Sequence, residues 1–212
     1  HDTALFWSPF GQGVILLLIQ VGGMGVVTMA VAIFMFSGRK IGLKQRWVMQ
    51  ESISAPQVGG IVRMTGFILK TAFLIEAIGA LLLALRFCPQ FGLGKGIWYG
   101  IFHAVSAFCN AGFDLMGPVS GSFSSLECFV GDPLINLTVM TLILVAGLGF
   151  PVWQDLAQNR LCWKKLRLHT RAVLALTAFL VLVPAALFFI AMFLAPVAQL
   201  IPTYACAAAL IY

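Results

Sequence analysis

GIWYGIFHAVSAFCNAGFDL, residues 96–115, decides how the rest of this chain is read. The residues up to Cys109 are mostly apolar or aromatic and suit a helix. A helix over 96–109 is roughly 20 Å long at 1.5 Å per residue. That enters a hydrocarbon core of about 30 Å and stops short of crossing it. Asn110-Ala111-Gly112 then breaks the helix. The expectation is a re-entrant helix over 95–109 that enters from outside, with 110–114 returning as non-helical backbone. Irregular backbone at that depth is tolerated where it is buried in protein or lines a water-filled path.

The composition around this stretch is that of a membrane protein. Of 212 residues, 61% are hydrophobic and 9% charged, with mean hydropathy +1.00. Soluble domains carry roughly 25% charged residues, so a water-soluble globule and a disordered chain are both excluded. Residues 14–36, 133–153 and 172–201 contain no charge, and 64–85 contains only Lys70 and Glu76. Each is long enough to span. The five cysteines are odd in number and include no CxxC, so neither a zinc site nor a disulfide framework is indicated. Cys88 and Cys128 could pair only if both faced outside, and the expectation is that they do not.

The positive charges orient these spans. Ten of the 13 Lys and Arg lie in the segments 37–63 and 153–171. The positive-inside rule makes both cytoplasmic. Two cytoplasmic loops need an even number of crossings between them, yet three apolar pieces lie there: 64–85, 97–113 and 133–153. One must turn back, and 97–113 is the shortest and most interrupted. The competing choice is 64–85, because of its two charges.

The chain also repeats itself. LIQVGGMGVV around Gly23 matches LILVAGLGFP around Gly147 at an offset of 124, and Lys40, Leu43 and Arg46 match Lys165, Leu168 and Arg171 at 125. Gly22, Gly23, Gly25, Gly147 and Gly149 are expected to serve close helix packing, as small residues do in spans. A period near 125 points to a duplicated module. The expected division is 1–62, the second helix of unit one with its cytoplasmic loop; 63–158, a complete helix–pore loop–helix unit two; and 159–212, the first helix of unit three and the truncated start of its pore region. On that register the chain is an internal fragment, with further loop glycines expected before residue 1 and after residue 212.

FWSPFGQGVILLLIQVGGMG, LKQRWVMQESIS, FHAVSAFCNAGFDL, and AGLGFPVWQDL followed by LRLHTRAVLAL together resemble the Trk/Ktr/HKT superfamily of potassium transporters, most closely the bacterial Trk/Ktr pore-forming subunits. The resemblance covers roughly residues 5–195, and SAFCNAGFDL is its specific part. It implies an all-α integral membrane fold of repeated helix–pore loop–helix units around a central pore. Four spans and one re-entrant helix would fall in this chain. It implies potassium uptake through a ring of filter carbonyls, one quarter of it from Cys109, Asn110, Ala111 and Gly112. Potassium would sit at Asn110, Ala111 and Gly112, with Phe113 and Asp114 at the pore entrance. It further implies a multi-pass protein of the bacterial plasma membrane, a homodimer, and a cytosolic nucleotide-binding regulatory subunit docking on 37–56 and 154–171. No covalent cofactor is implied, and coupling to sodium or protons stays open.

Backbone carbonyls can replace the water shell of potassium, and glycine at 112 permits the positive φ that turning them toward one axis requires. Asp114 reads equally as a cation-concentrating group or as a solvated loop acid. His103 reads as a packed residue bonded to backbone. Lys70, near the cytoplasmic end, snorkels. Glu76 needs a partner, expected from outside this chain. Asn136-Leu-Thr138 matches a glycosylation sequon but lies in a span. The run 160–171 holds five bases and no acid, a topology signal beside anionic lipid. Its juxtamembrane place argues against nucleic acid. No GxSxG, HExxH or intramembrane Asp pair supports an enzyme. A secondary transporter with a re-entrant substrate loop is the alternative, and it would favour an inverted repeat. The repeat here runs in one direction.

Overall fold

The computed structural model describes residues 2–25, 33, 61–159 and 162–198. Among them the secondary structure is helical, with no strand. The chain divides into two compact units, His1–Trp153 and Gln154–Tyr212.

In the first unit, α1 (Thr3–Phe6) is capped by Asp2, whose carboxylate accepts from the Ala4 and Leu5 amides at 2.9 and 3.0 Å. The same carboxylate accepts from the Phe123 amide at 3.1 Å. These amide bonds hold the Asp2 carboxyl below its ordinary pKa against a desolvation that pushes it up. Helix α2 (Pro9–Gly23) begins with Ser8 as N-cap and Pro at its first position. It stops before Gly25, whose φ is +82°. The stretch 14–36 is therefore not one uninterrupted helix; its residues 26–32 and 34–36 lie outside those described.

Helix α3 (Ile61–Phe91) is long and apolar and ends just after Pro89, at Gly92 with φ +82°. Helix α4 (Leu93–Phe108) folds straight back along it. The close approach is made by Gly96 and Gly100, a GxxxG pair that sequence reading passed over. A Cβ at Gly96 would lie 2.5 Å from the Cys88 Cα, and one at Gly100 would lie 2.8 Å from the Ala80 carbonyl oxygen and 2.9 Å from the Ala84 nitrogen. Both positions face backbone, which cannot give way.

After the return segment come α5 (Gly117–Ser120), a 3-10 turn at Glu127–Phe129, and α6 (Pro133–Gly147). Asp132 caps α6 by accepting from the Leu134 and Ile135 amides, and it pairs with Arg86 near the end of α3. The Arg86 guanidinium, first of all, and those amides hold the Asp132 carboxyl below the usual range. Asn136, within the sequon match, donates instead to the carbonyls of Phe129, Val130 and Asp132, securing the entry to α6. The core packs Leu83 and Phe87 of α3 against Ala104 and Phe108 of α4, Phe129, and Ile135 and Leu142 of α6. Helix α7 (Phe150–Asn159) follows a break at Leu148-Gly149, where φ is +85° and the helical path bends by 94°. The stretch 133–153 is thus broken at the glycine that sequence reading assigned to packing.

Two helical segments, Thr65–Phe91 and Leu168–Ala191, are long and apolar enough to cross a membrane, and α6 with α7 makes a third if the bent pair is one span. Helix α4, at 16 residues, is about 24 Å long.

The second unit holds a 3-10 turn at Trp163–Lys165 and α8 (Leu168–Ala198), which runs unbroken through Pro184. Its apolar side chains are exposed over Leu176–Ile190, a surface that only lipid or protein would cover. The loop before α8 is organised by buried Asp155. It accepts from Asn159 Nδ2 at 2.8 Å and the Arg167 amide at 2.9 Å. The Thr170 hydroxyl, first of all, and these donors hold its carboxyl below the ordinary value.

Gly100→Val is expected to lower the melting temperature of the full-length protein in detergent, through an overpacking cost of about 1–3 kcal/mol. Gly94→Ala, where a Cβ meets nothing within 4 Å, serves as the neutral comparison in the same melt. A depressed carboxyl stabilises the fold above its unfolded pKa and stops doing so as pH falls through the folded one. Asp155→Asn should therefore lower the melting temperature at neutral pH, and the difference should begin to shrink near about pH 4 and vanish only below the depressed folded-state pKa.

Candidate functional site

The site begins where α4 ends. Cys109 is the C-cap, and Asn110 follows in the left-handed region with φ 52°. The Asn110 amide donates to the Ala107 carbonyl at 3.1 Å and the Ala111 amide to that of Ser106 at 2.8 Å. These two bonds are the Schellman motif. It usually employs glycine; asparagine serves here because its short polar side chain tolerates the left-handed region. Gly112 then takes φ +74°, as its place in the loop requires.

Two side chains of α4, three residues apart and so on one face, hold the returning backbone. Ser106 Oγ donates to the Phe113 carbonyl at 2.6 Å. His103 Nδ1 lies 2.7 Å from the Tyr99 carbonyl, and His103 Nε2 accepts from the Leu115 amide at 3.3 Å. These bonds require the neutral Nδ1–H tautomer. His103 is packed and backbone-bonded, as its sequence context suggests. Asp114 Oδ1 accepts from the Met116 amide at 2.9 Å, a local turn leading into α5.

The amides of Cys109, Asn110 and Ala111 are thus tied to α4. The carbonyls of Cys109, Asn110, Ala111 and Gly112 are not: no backbone amide among the described residues is bonded to them. Asn110 and Gly112 are exposed, and a Cβ at Gly112 would meet nothing within 4 Å. The segment has a bonded side against its own helix and a free side carrying oxygens. Helix α4 also ends at this point, placing the partly negative end of its dipole beside them. A cleft of about 460 Å³ separates the segment from α2, lined by Ile15, Leu18, Ile19, Gly22, Gly23, Cys109, Ala111 and Phe113. Phe113 is exposed.

The glycines of the repeat divide by role. A Cβ on Gly23 would strike the Cys109 side chain, so α2 passes directly against the site. Gly22 and Gly147 would meet nothing within 4 Å, and Gly25 and Gly149 end their helices with positive φ.

Behind the segment lies a group that sequence reading placed differently. Glu76, expected to find its partner outside this chain, is buried and accepts from Gln20 Nε2 at 2.9 and 3.0 Å, one bond to each carboxylate oxygen. Cys109 Sγ is 4.0 Å from Glu76 Oε1. Gln20 was legible as the one amide in an otherwise apolar run, and Ser106 as the hydroxyl one turn after His103. Lys70 is exposed. Cys88, Cys109, Cys128 and Cys162 are free thiols, so the candidate Cys88–Cys128 disulfide is not formed. Among the described residues no group of three metal-ligating side chains occurs.

His103→Ala removes the acceptor of a buried amide, at a cost of about 1–3 kcal/mol. Hydrogen–deuterium exchange over residues 111–116 should accelerate in that variant and not over α6; equal protection in both proteins would deny His103 its hold on the loop.

The family model described as TrkH, cation transport protein, matches residues 3–204. The Ktr system potassium uptake protein B of Bacillus subtilis (strain 168) is 41% identical over 179 residues, 84% of this chain and 39% of that protein. The potassium/sodium uptake protein NtpJ of Enterococcus hirae is 40% identical over 182 residues, 85% and 39% of the two chains. A second Ktr system potassium uptake protein B, from Vibrio alginolyticus, is 32% identical over 193 residues, 89% and 40%. The chain spans about two fifths of the length of these relatives.

Proposed function

This chain belongs to the TrkH family of cation transport proteins, and we propose that residues 109–112 are one of four filter segments in a potassium uptake pore. The observation that supports this most directly is the split of the segment into tied amides and carbonyls that no described backbone amide bonds. Oxygens in that state can take the place of water around potassium. The similar proteins are named for potassium uptake, or for potassium and sodium uptake.

In this reading α4 is re-entrant, and the chain crosses the membrane four times, the first crossing including α2. The directional repeat supports a pore of like units over an inverted-repeat carrier. Helices α2 and α6 begin and end 124 residues apart, each opening on proline and each followed by a glycine of positive φ. Asp114 and Phe113 stand at the entrance. The segments 37–56 and 154–171 face the cytosol of a bacterial cell. There they meet anionic lipid and dock a nucleotide-binding regulatory subunit, and the assembled protein is a homodimer. Sodium and protons are the two candidate coupling ions.

Gly112 carries the test. With open space at its Cβ, substitution acts through the backbone alone, at roughly 1–2 kcal/mol for a residue that resists left-handed φ. Gly112→Ser in the full-length protein should lower potassium uptake, or its preference over sodium, by about tenfold in a transport-deficient cell. Uptake and preference equal to wild type would remove Gly112 from the filter.

A further inference from the structure

Resting on the filter reading, we propose that Glu76 and Gln20 are positioning residues that join the back of the filter to the helix of the preceding unit. Gln20 comes from α2 and Glu76 from α3, 56 positions later in sequence. The two contacts, at 2.9 and 3.0 Å, run from one amide nitrogen to both oxygens of one carboxylate. The pair is buried. Cys109 Sγ lies 4.0 Å from the same carboxylate, and Gly23, one turn on from Gln20, leaves room only for that cysteine. The first filter residue is thus confined by α2 on one side and Glu76 on the other.

Simple packing does not require this arrangement. A buried carboxylate is costly unless bonded, and leucine at both positions would close α2 on α3 more cheaply. What the polar pair adds is direction. A bifurcated amide–carboxylate bond fixes the rotation and height of α2 against α3 where an apolar contact tolerates sliding. Residue 109 hangs on that register. Carbonyl rings discriminate between potassium and sodium through the number and placement of their oxygens, so a shift of residue 109 reaches cation preference before it reaches folding.

The experiment uses the full-length protein in transport-deficient cells. Its readouts are surface-inserted amount, the KM and maximal rate of potassium uptake, and potassium/sodium preference. Gln20→Glu sets two carboxylates face to face and should reduce preference by about tenfold among molecules that insert normally. The exchange Gln20→Glu with Glu76→Gln restores one amide and one carboxylate with roles reversed, and should recover preference to within about twofold. If Gln20→Glu fails to insert, Gln20→Asn, one methylene too short for the bifurcated bond, replaces it with the same expected loss. Wild-type preference in the single variant, or an exchange variant no better than the single, overturns the proposal. Gly112→Ser is run in parallel. A null result there with a rescued exchange strikes the filter assignment; a loss there with an unrescued exchange strikes only the bracket.

Discussion

A chain that turns round at the end of a buried helix has to answer its own backbone polar groups, and the structure depends on how that is done after Phe108. Each unsatisfied amide in a low-dielectric setting costs several kcal/mol. The turn meets this with its own helix: two Schellman bonds for Asn110 and Ala111, a serine for the Phe113 carbonyl and a histidine for the Leu115 amide. Every one of these partners lies on α4. Helix α4 in turn is held against α3 by glycines that put backbone on backbone. No described backbone amide bonds the carbonyls of 109–112, while the amides of 109–111 behind them are tied to α4.

That division explains why some features were legible and others were not. Asn110 and Gly112 announce themselves, since both residue types favour the left-handed backbone that a sharp turn demands. The shortness of 96–109 and the Asn-Ala-Gly at its end locate the turn without any structure. Ser106 and His103 are different. Nothing in the sequence states that residues three apart on α4 face the returning segment, because the path of that segment is a tertiary fact. Gln20 and Glu76 were each conspicuous as polar groups in apolar runs, but a pairing across 56 positions needs the packing of α2 on α3. The GxxxG of α4 was readable and was overshadowed by the glycines of the repeat.

The repeat shows where physics constrains a duplicated chain and where it does not. Helices α2 and α6 keep their length, proline start, capped entry and glycine exit at one offset of 124. The 3-10 turn at Glu127–Phe129 lies 124 residues after Thr3–Leu5, the first three residues of α1. The two copies therefore share the devices that start and stop a helix as well as its length.

The same logic distinguishes the glycines. In both copies the second glycine of GxG has positive φ, +82° at Gly25 and +85° at Gly149. The first glycine differs: Gly23 meets Cys109, and Gly147 meets nothing within 4 Å. A shared backbone conformation with an unshared contact means that the motif is kept for the break it makes in the helix, with packing as a local use of the space. On the proposed filter reading, Gly147 acquires an equivalent contact from the filter segment of another unit, standing before α6 as residues 109–112 stand before α2. Under that proposal the open face of Gly147 is space left for a neighbour, and each unit completes the site of the next.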